Sequence, residues 1–176
     1  MPQHSPSPTA AQGPAANPSS DPIVARLVAE NDLAPHPEGG YYRRIFTSVQ
    51  QVTRAADGAV RPGLTFVMYL LPAGDVSRWH RLRSDEAWFL HDGDGLELLV
   101  LAPDGQVQRT VLDAGCPHAG VPAGHWQAAR PLGAYALVSC AVGPGFDFAD
   151  FELLADADPV EVPPAGRLLP DFERYL

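Results

Sequence analysis

From Tyr41 onward the chain is written in short apolar or alternating runs broken by Gly, Pro and Asp, and this punctuation constrains its fold most. Runs of four to eight residues suit strands, whereas helices need about 10–12 uninterrupted residues. The pattern predicts strands at Tyr41–Ser48, Leu64–Leu71, Val76–Arg81, Glu86–Leu90, Leu96–Leu101, Val107–Leu112, His125–Ala129, Ala134–Val142 and Phe148–Leu154. Asp92-Gly93 and Asp104-Gly105 mark turns between them. Many short strands at regular spacing indicate an all-β sandwich or closed barrel. The exception comes first. Ser20-Asp21-Pro22 reads as a helix start, followed by Ile23, Val24, Leu27 and Val28 at helical spacing, so one short N-terminal helix is expected before Pro35.

The 176 residues suit one domain with some excess at the ends. Residues 1–20 are rich in Pro, Ser, Ala and Gln without apolar periodicity, and a disordered tail is expected there. A single domain is expected over residues 21–155. An acidic, Pro-rich extension over 156–176 is expected to pack back on it, ending in a helical turn at Leu169–Tyr175. The chain is 45% apolar, but no run reaches the roughly 18 residues of a membrane helix, so no membrane partner is expected. A formal charge of −9 argues against a nucleic-acid partner. All 12 basic residues are Arg, which removes lysine Schiff-base and P-loop chemistry. Cys116 and Cys140 are too few for a disulfide framework and read as reduced thiols. With no secretory leader pattern, a cytoplasmic location is expected.

Chemistry concentrates between Gly74 and Gly93, where His80 lies six residues after the first glycine and Glu86 six further on. Strand alternation points Arg78, His80 and Leu82 one way and places Glu86, Trp88 and Leu90 on one face of the next strand. One registry puts His80 and Glu86 in a shared cavity lined by Leu82, Trp88 and Leu90. Such a pair can serve as a base, as metal ligands or as a buried structural pair. A second cluster, Pro122-Ala-Gly-His125-Trp-Gln127, places His125 and Gln127 on one strand face. Gln127 suits orienting a neutral polar ligand better than holding a transition metal. A third, His36-Pro-Glu38-Gly-Gly-Tyr41-Tyr42, is a rigid turn followed by a permissive one, able to close over a barrel mouth with Glu38 and a tyrosine toward ligand. Arg43, Arg44, Arg78 and Arg130 are possible anion clamps. Cys140 sits in an apolar run and reads as a core thiol.

These stretches, together with Val142-Gly-Pro-Gly-Phe146 and Asp150-Phe-Glu152, resemble the cupin-5 or DUF985 family of small cupins over roughly residues 22–155. The resemblance implies a double-stranded β-helix, the cupin jelly-roll barrel, with a small-molecule pocket inside and a homodimeric assembly. Cupins in general carry two histidines and a glutamate in the first motif and a third histidine in the second. Here His80 and Glu86 keep two of those positions, while Leu82 and Gln127 occupy the others. No metal or other cofactor is therefore expected, the weak alternative being a site of His80, Glu86, His125 and Gln127. Three functions stay open. The first is metal-independent epimerase- or isomerase-like chemistry on a polar or sugar-like ligand. In it His80 is the base, Glu86 orients it, and Tyr41, Tyr42, Tyr69 or Tyr135 is the acid; Glu38, Arg78, Leu82, Trp88, His125 and Gln127 contact ligand. The second is a binding module using the same pocket, and the third a metal-dependent enzyme.

Overall fold

The computed structural model describes residues 21–158, 161 and 172–176; the expected N-terminal disorder and the start of the C-terminal turn lie outside those residues. Helix α1 (Pro22–Glu30) begins as the sequence suggests. The Asp21 carboxylate accepts from the Ile23 and Val24 amides, and a proline occupies the first turn. Val24 and Leu27 are its buried positions, packed against Leu33, Tyr41 and Leu70.

Thirteen strands follow: β1 (Ala34–Pro35), β2 (Tyr41–Thr47), β3 (Gln51–Thr53), β4 (Val60–Pro62), β5 (Thr65–Pro72), β6 (Ser77–Leu82), β7 (Asp85–Gly93), β8 (Leu96–Leu101), β9 (Val107–Leu112), β10 (His118–Val121), β11 (Trp126–Pro131), β12 (Tyr135–Gly143) and β13 (Phe151–Leu153). They form two antiparallel sheets, ordered β1-β2-β5-β12-β7-β10 and β13-β6-β11-β8-β9, with β3 and β4 as a separate hairpin. This is the expected all-β, jelly-roll arrangement. The interior between the sheets holds Tyr69, Leu71, Trp88, Leu98, Val138 and Cys140.

The expected strands recur within a few residues, except at Phe148–Leu154. There Phe148–Asp150 forms a 3-10 turn capped by Asp147, and only Phe151–Leu153 is strand. The four unexpected strands are two to four residues long, too short to show a period. The Asp92-Gly93 turn is also displaced: β7 runs through Gly93, and the chain reverses at Asp94-Gly95.

One irregularity matters for chemistry. Along β6 and β11, Gln127 faces His80 and Ala129 faces Ser77, so β6 carries one more residue than its partner over this interval. Such a bulge breaks alternation. It lets Ser77 and His80, three positions apart, reach the same carboxylate. Trp79 faces the other way, into a cluster with Leu101, Trp126, Phe172 and Tyr175. The C-terminal residues Phe172–Tyr175 thus pack on the outer side of β6.

Candidate functional site

A cavity of about 40 Å³ opens inside the barrel, walled by Glu38, Tyr42, Tyr69, His80 and Glu86, with His36, Leu82, Cys140 and Phe146 around them. About three waters, or the head of a small organic ligand, fit such a space. The residues come from different elements: His36 and Glu38 from the loop after β1, Tyr42 from β2, Tyr69 from β5, His80 and Leu82 from β6, Glu86 from β7 and Cys140 from β12.

The loop is held close by its glycines. Gly39 has φ +115°, and a Cβ there would stand 2.1 Å from the Val76 carbonyl oxygen. The Tyr69 hydroxyl donates to the Gly39 carbonyl at 2.9 Å, and the Arg78 amide donates to the Glu38 carbonyl at 2.8 Å. Gly39→Ala is therefore expected to cost about 1–3 kcal/mol of stability. Gly74→Ala, at φ +89° but with open space around its Cβ, is the control in the same thermal melts. Equal losses would show that the contact with Val76 does not hold the loop.

His80 is buried with both nitrogens facing acceptors. Nδ1 is 2.8 Å from the Arg78 carbonyl, and Nε2 is 3.3 Å from Glu38 Oε2. A carbonyl only accepts, so Nδ1 carries a proton, and an ionised Glu38 makes the Nε2 contact attractive only if Nε2 is protonated too. Ser77 Oγ donates to Glu38 Oε1 at 3.0 Å. Burial pushes the Glu38 carboxyl up, but the charges of His80 and His36 and the Ser77 hydroxyl outweigh it and hold it below the usual glutamate range. His36 is the opposite case: burial lowers its pKa despite the neighbouring Glu38 carboxylate. Its Nδ1 accepts from the Glu38 amide at 3.3 Å, as a neutral ring does.

Glu86 has a different environment. Its Oε2 accepts from the Gln127 side-chain amide at 2.6 Å, and Gln127 Oε1 accepts from the Trp88 indole at 2.9 Å. This chain fixes the amide orientation and leaves Gln127 facing Glu86 rather than the open cavity. Burial raises Glu86 to about 7; the charge of His80 opposes the rise and that of Glu38 adds to it. The Cys140 thiol lies against the same carboxyl and is pushed well above its ordinary value, chiefly by burial and then by Glu86. Cys140 is the core thiol the sequence suggests, and both cysteines are free.

Of the residues singled out in sequence, the fold brings together Glu38, Tyr42, His80, Leu82 and Glu86, with Gln127 and Trp88 behind Glu86. Others lie elsewhere. Tyr41 packs under α1, and the Tyr135 hydroxyl donates to Asp92 at 2.8 Å. The β6 bulge turns Arg78 out of the cavity, and its guanidinium donates to the Pro37 carbonyl at 2.5 Å. His125 stays partly exposed in the turn before β11, its Nδ1 3.4 Å from the Ala123 carbonyl. The partner of His80 is also corrected: the carboxylate paired with the imidazole is Glu38, across the bulge, not Glu86. Sequence reading gave no role to His36 or to Phe151, whose ring stacks on His80 at 5.5 Å. The closeness of His36 to Glu38 was the available signal for the first; none existed for the second.

Cupins in general hold a metal, and two of the four positions that would hold it are unsuited to one here. Leu82 offers no donor, Gln127 is committed to Glu86 and Trp88, and His125 is not on the cavity wall. Among the described residues no group of three or more His, Cys, Asp and Glu side chains is placed to hold a metal ion. A larger cleft of about 650 Å³ lies beyond Leu82 and Phe151. Its Arg54 pairs with Asp57 and Asp150, and its Arg81 with Glu152 and Glu161.

Comparison with known proteins agrees with this architecture. A hypothetical protein from Leishmania major is 33% identical, with a TM-score of 0.68, and the match covers 72% of this chain and 84% of that one. An X-ray structure of a Shewanella oneidensis protein is 32% identical, with a TM-score of 0.65 and coverage of 73% and 82%. Oxalate decarboxylase from Bacillus subtilis shares the fold at 20% identity and a TM-score of 0.56, over 81% of this chain and 36% of its own. A search of curated proteins found no match. No helix among the described residues is long and apolar enough to cross a membrane. The family profile described as Cupin superfamily (DUF985) matches residues 25–154, and the chain belongs to that family.

Proposed function

We propose that the protein processes a small polar molecule by acid–base chemistry of the isomerase or epimerase kind, in the cavity between His80 and Glu86. One observation carries this reading: two buried carboxylates share a cavity with His80, and only Glu38 pairs with it. Environments that push paired titratable groups apart mark acid and base roles. Glu38 stays ionised and positions His80, while Glu86, raised to about 7, exchanges its proton near neutrality. The roles of His80 and Glu86 are thereby exchanged relative to the sequence expectation. Glu86 removes a proton from the carbon beside a carbonyl, the electron pair moves onto the carbonyl oxygen, and His80 protonates that oxygen. Return of a proton to the neighbouring carbon, while His80 takes one from that carbon's hydroxyl, completes an isomerisation; return to the other face of the first carbon, while His80 takes back the enol proton, completes an epimerisation. The His80–Glu38 separation of 3.3 Å is longer than the roughly 2.7–2.9 Å of a tight charge-assisted bond, which leaves the Nε2 proton accessible to a ligand oxygen.

The test needs no net reaction. Native protein is incubated in D2O with a panel of small hydroxyaldehydes, ketoses and aminoketones, and proton NMR follows loss of the C–H signal. Exchange is expected with at least one member, its rate rising with pH through about 7 and level above, as Glu86 ionises. A second reading is a binding module, favoured by the apolar wall of Leu82, Val67 and Val142. Retention of a ligand with no exchange across the panel selects it over catalysis.

A further inference from the structure

The charges around the cavity do not cancel. His36 accepts a backbone N–H at Nδ1, and His80 is spent on Glu38. Glu86 remains. It faces His80 and Glu38, the Cys140 thiol and the Gln127 amide, and no cationic side chain is its own partner in the described contacts. An ionised carboxylate in a closed apolar space takes up either a proton or another positive charge. The same cavity is lined by Tyr42, Tyr69 and Phe146, and aromatic rings attract organic cations. Arg44 is the one guanidinium on the wall. It stays exposed at the rim, its Cζ 5.4 Å from the Phe146 ring centre and its Nη2 donating to the Phe146 carbonyl. That ring already accepts a cation from the solvent side.

Resting on the acid–base reading above, we propose that the ligand is a small protonated amine, and that carboxylates and phosphates are excluded by the buried Glu86 carboxylate. The ammonium lies against Glu86 and keeps it in its proton-accepting form, while the body of the ligand extends past Tyr42 and Phe146 to the mouth. An anion would meet Glu86 with His80 already spent on Glu38 and only the rim arginine left to offset it.

The probes are ethylammonium, acetamide and acetate, titrated into the native protein and read from the NMR signals of the Trp88 indole N–H and the Gln127 side-chain amide. Both groups are hydrogen-bonded in series to Glu86. Ethylammonium is expected to shift both signals at pH 8 and to bind about tenfold more weakly at pH 6, because the ionised fraction of Glu86 falls about tenfold across a midpoint of about 7. Glu86→Gln is expected to abolish both the pH dependence and the preference for the cation; the comparison of pH values in the native protein does not depend on that variant folding. Acetate binding as tightly as ethylammonium at pH 8, or signals unmoved by ethylammonium, overturns the inference. Cation binding without deuterium exchange across the panel leaves it standing and removes the acid–base reading. Exchange confined to neutral carbonyl compounds does the reverse.

Discussion

Glu86→Gln is expected to lower the deuterium-exchange rate by about 10²–10⁴, the usual contribution of a positioned acid–base group. The amide keeps the shape of the carboxyl and can still meet Gln127, so secondary structure and melting temperature should change little. Burial already pushes Glu86 toward its neutral form at pH 7, which makes a neutral replacement easy to accommodate. His80→Ala removes the proton donor and should cost a comparable factor. It also strands the Glu38 carboxylate, so some stability is lost with it. Full exchange in Glu86→Gln, with the fold verified by circular dichroism, would end the assignment of Glu86 as base.

The second large effect is on stability. Asp150 accepts four hydrogen bonds, at 2.7–3.0 Å, from the guanidiniums of Arg54 and Arg61. This pins the β3–β4 hairpin to the 3-10 turn just before Phe151. Asp150→Ala leaves the buried Arg54 with Asp57 as its one carboxylate partner, beside Ser84 Oγ, and leaves Arg61 with the Val60 carbonyl alone. Removing one member of a buried ion pair costs about 3–5 kcal/mol, and the low end applies because Arg61 reaches solvent. At about 2–4 °C per kcal/mol for a chain of this size, the melting temperature should fall by about 6–12 °C. The sign with pH follows from the Arg54 and Arg61 hydrogen bonds, which hold Asp150 at about 2 against its burial. The folded value lies below the unfolded one, so the stabilisation is complete above about 4 and is lost as pH falls toward 2. Wild-type and Asp150→Ala melts should therefore converge in acid; a constant gap down to pH 2 would place the effect elsewhere.

The strands were legible because their signals are local. Alternation, turn glycines and a capped proline each act over a few residues, and they placed α1 and most long strands within a residue or two. Glu38, His80 and Glu86 were legible as chemistry-bearing positions in loop and strand. Their pairing was not. The bulge between Ser77 and His80 depends on how β6 meets β11, and neither strand carries a glycine or other break there. Without it, strict alternation made Arg78 a cavity residue and left Glu86 as the carboxylate on the matching face of the next strand. His125 failed for a related reason. It follows a turn glycine with φ +78°, and β11 starts one residue later, at Trp126.

Each of the three tryptophans is 1% exposed, and each has a different neighbourhood. Trp88 is two hydrogen bonds from the Glu86 carboxyl, Trp126 lies under the Arg81 guanidinium with 4.6 Å from Cζ to the ring centre, and Trp79 packs between Phe172 and Tyr175. The molecule thus carries three built-in fluorophores, one of them wired to the cavity. Emission changes that vanish in Trp88→Phe report occupancy or protonation of the cavity, while those lost with Trp79→Phe report lifting of the C-terminal residues from the barrel. Ligand searches can then proceed by light, without a label and without knowing the reaction.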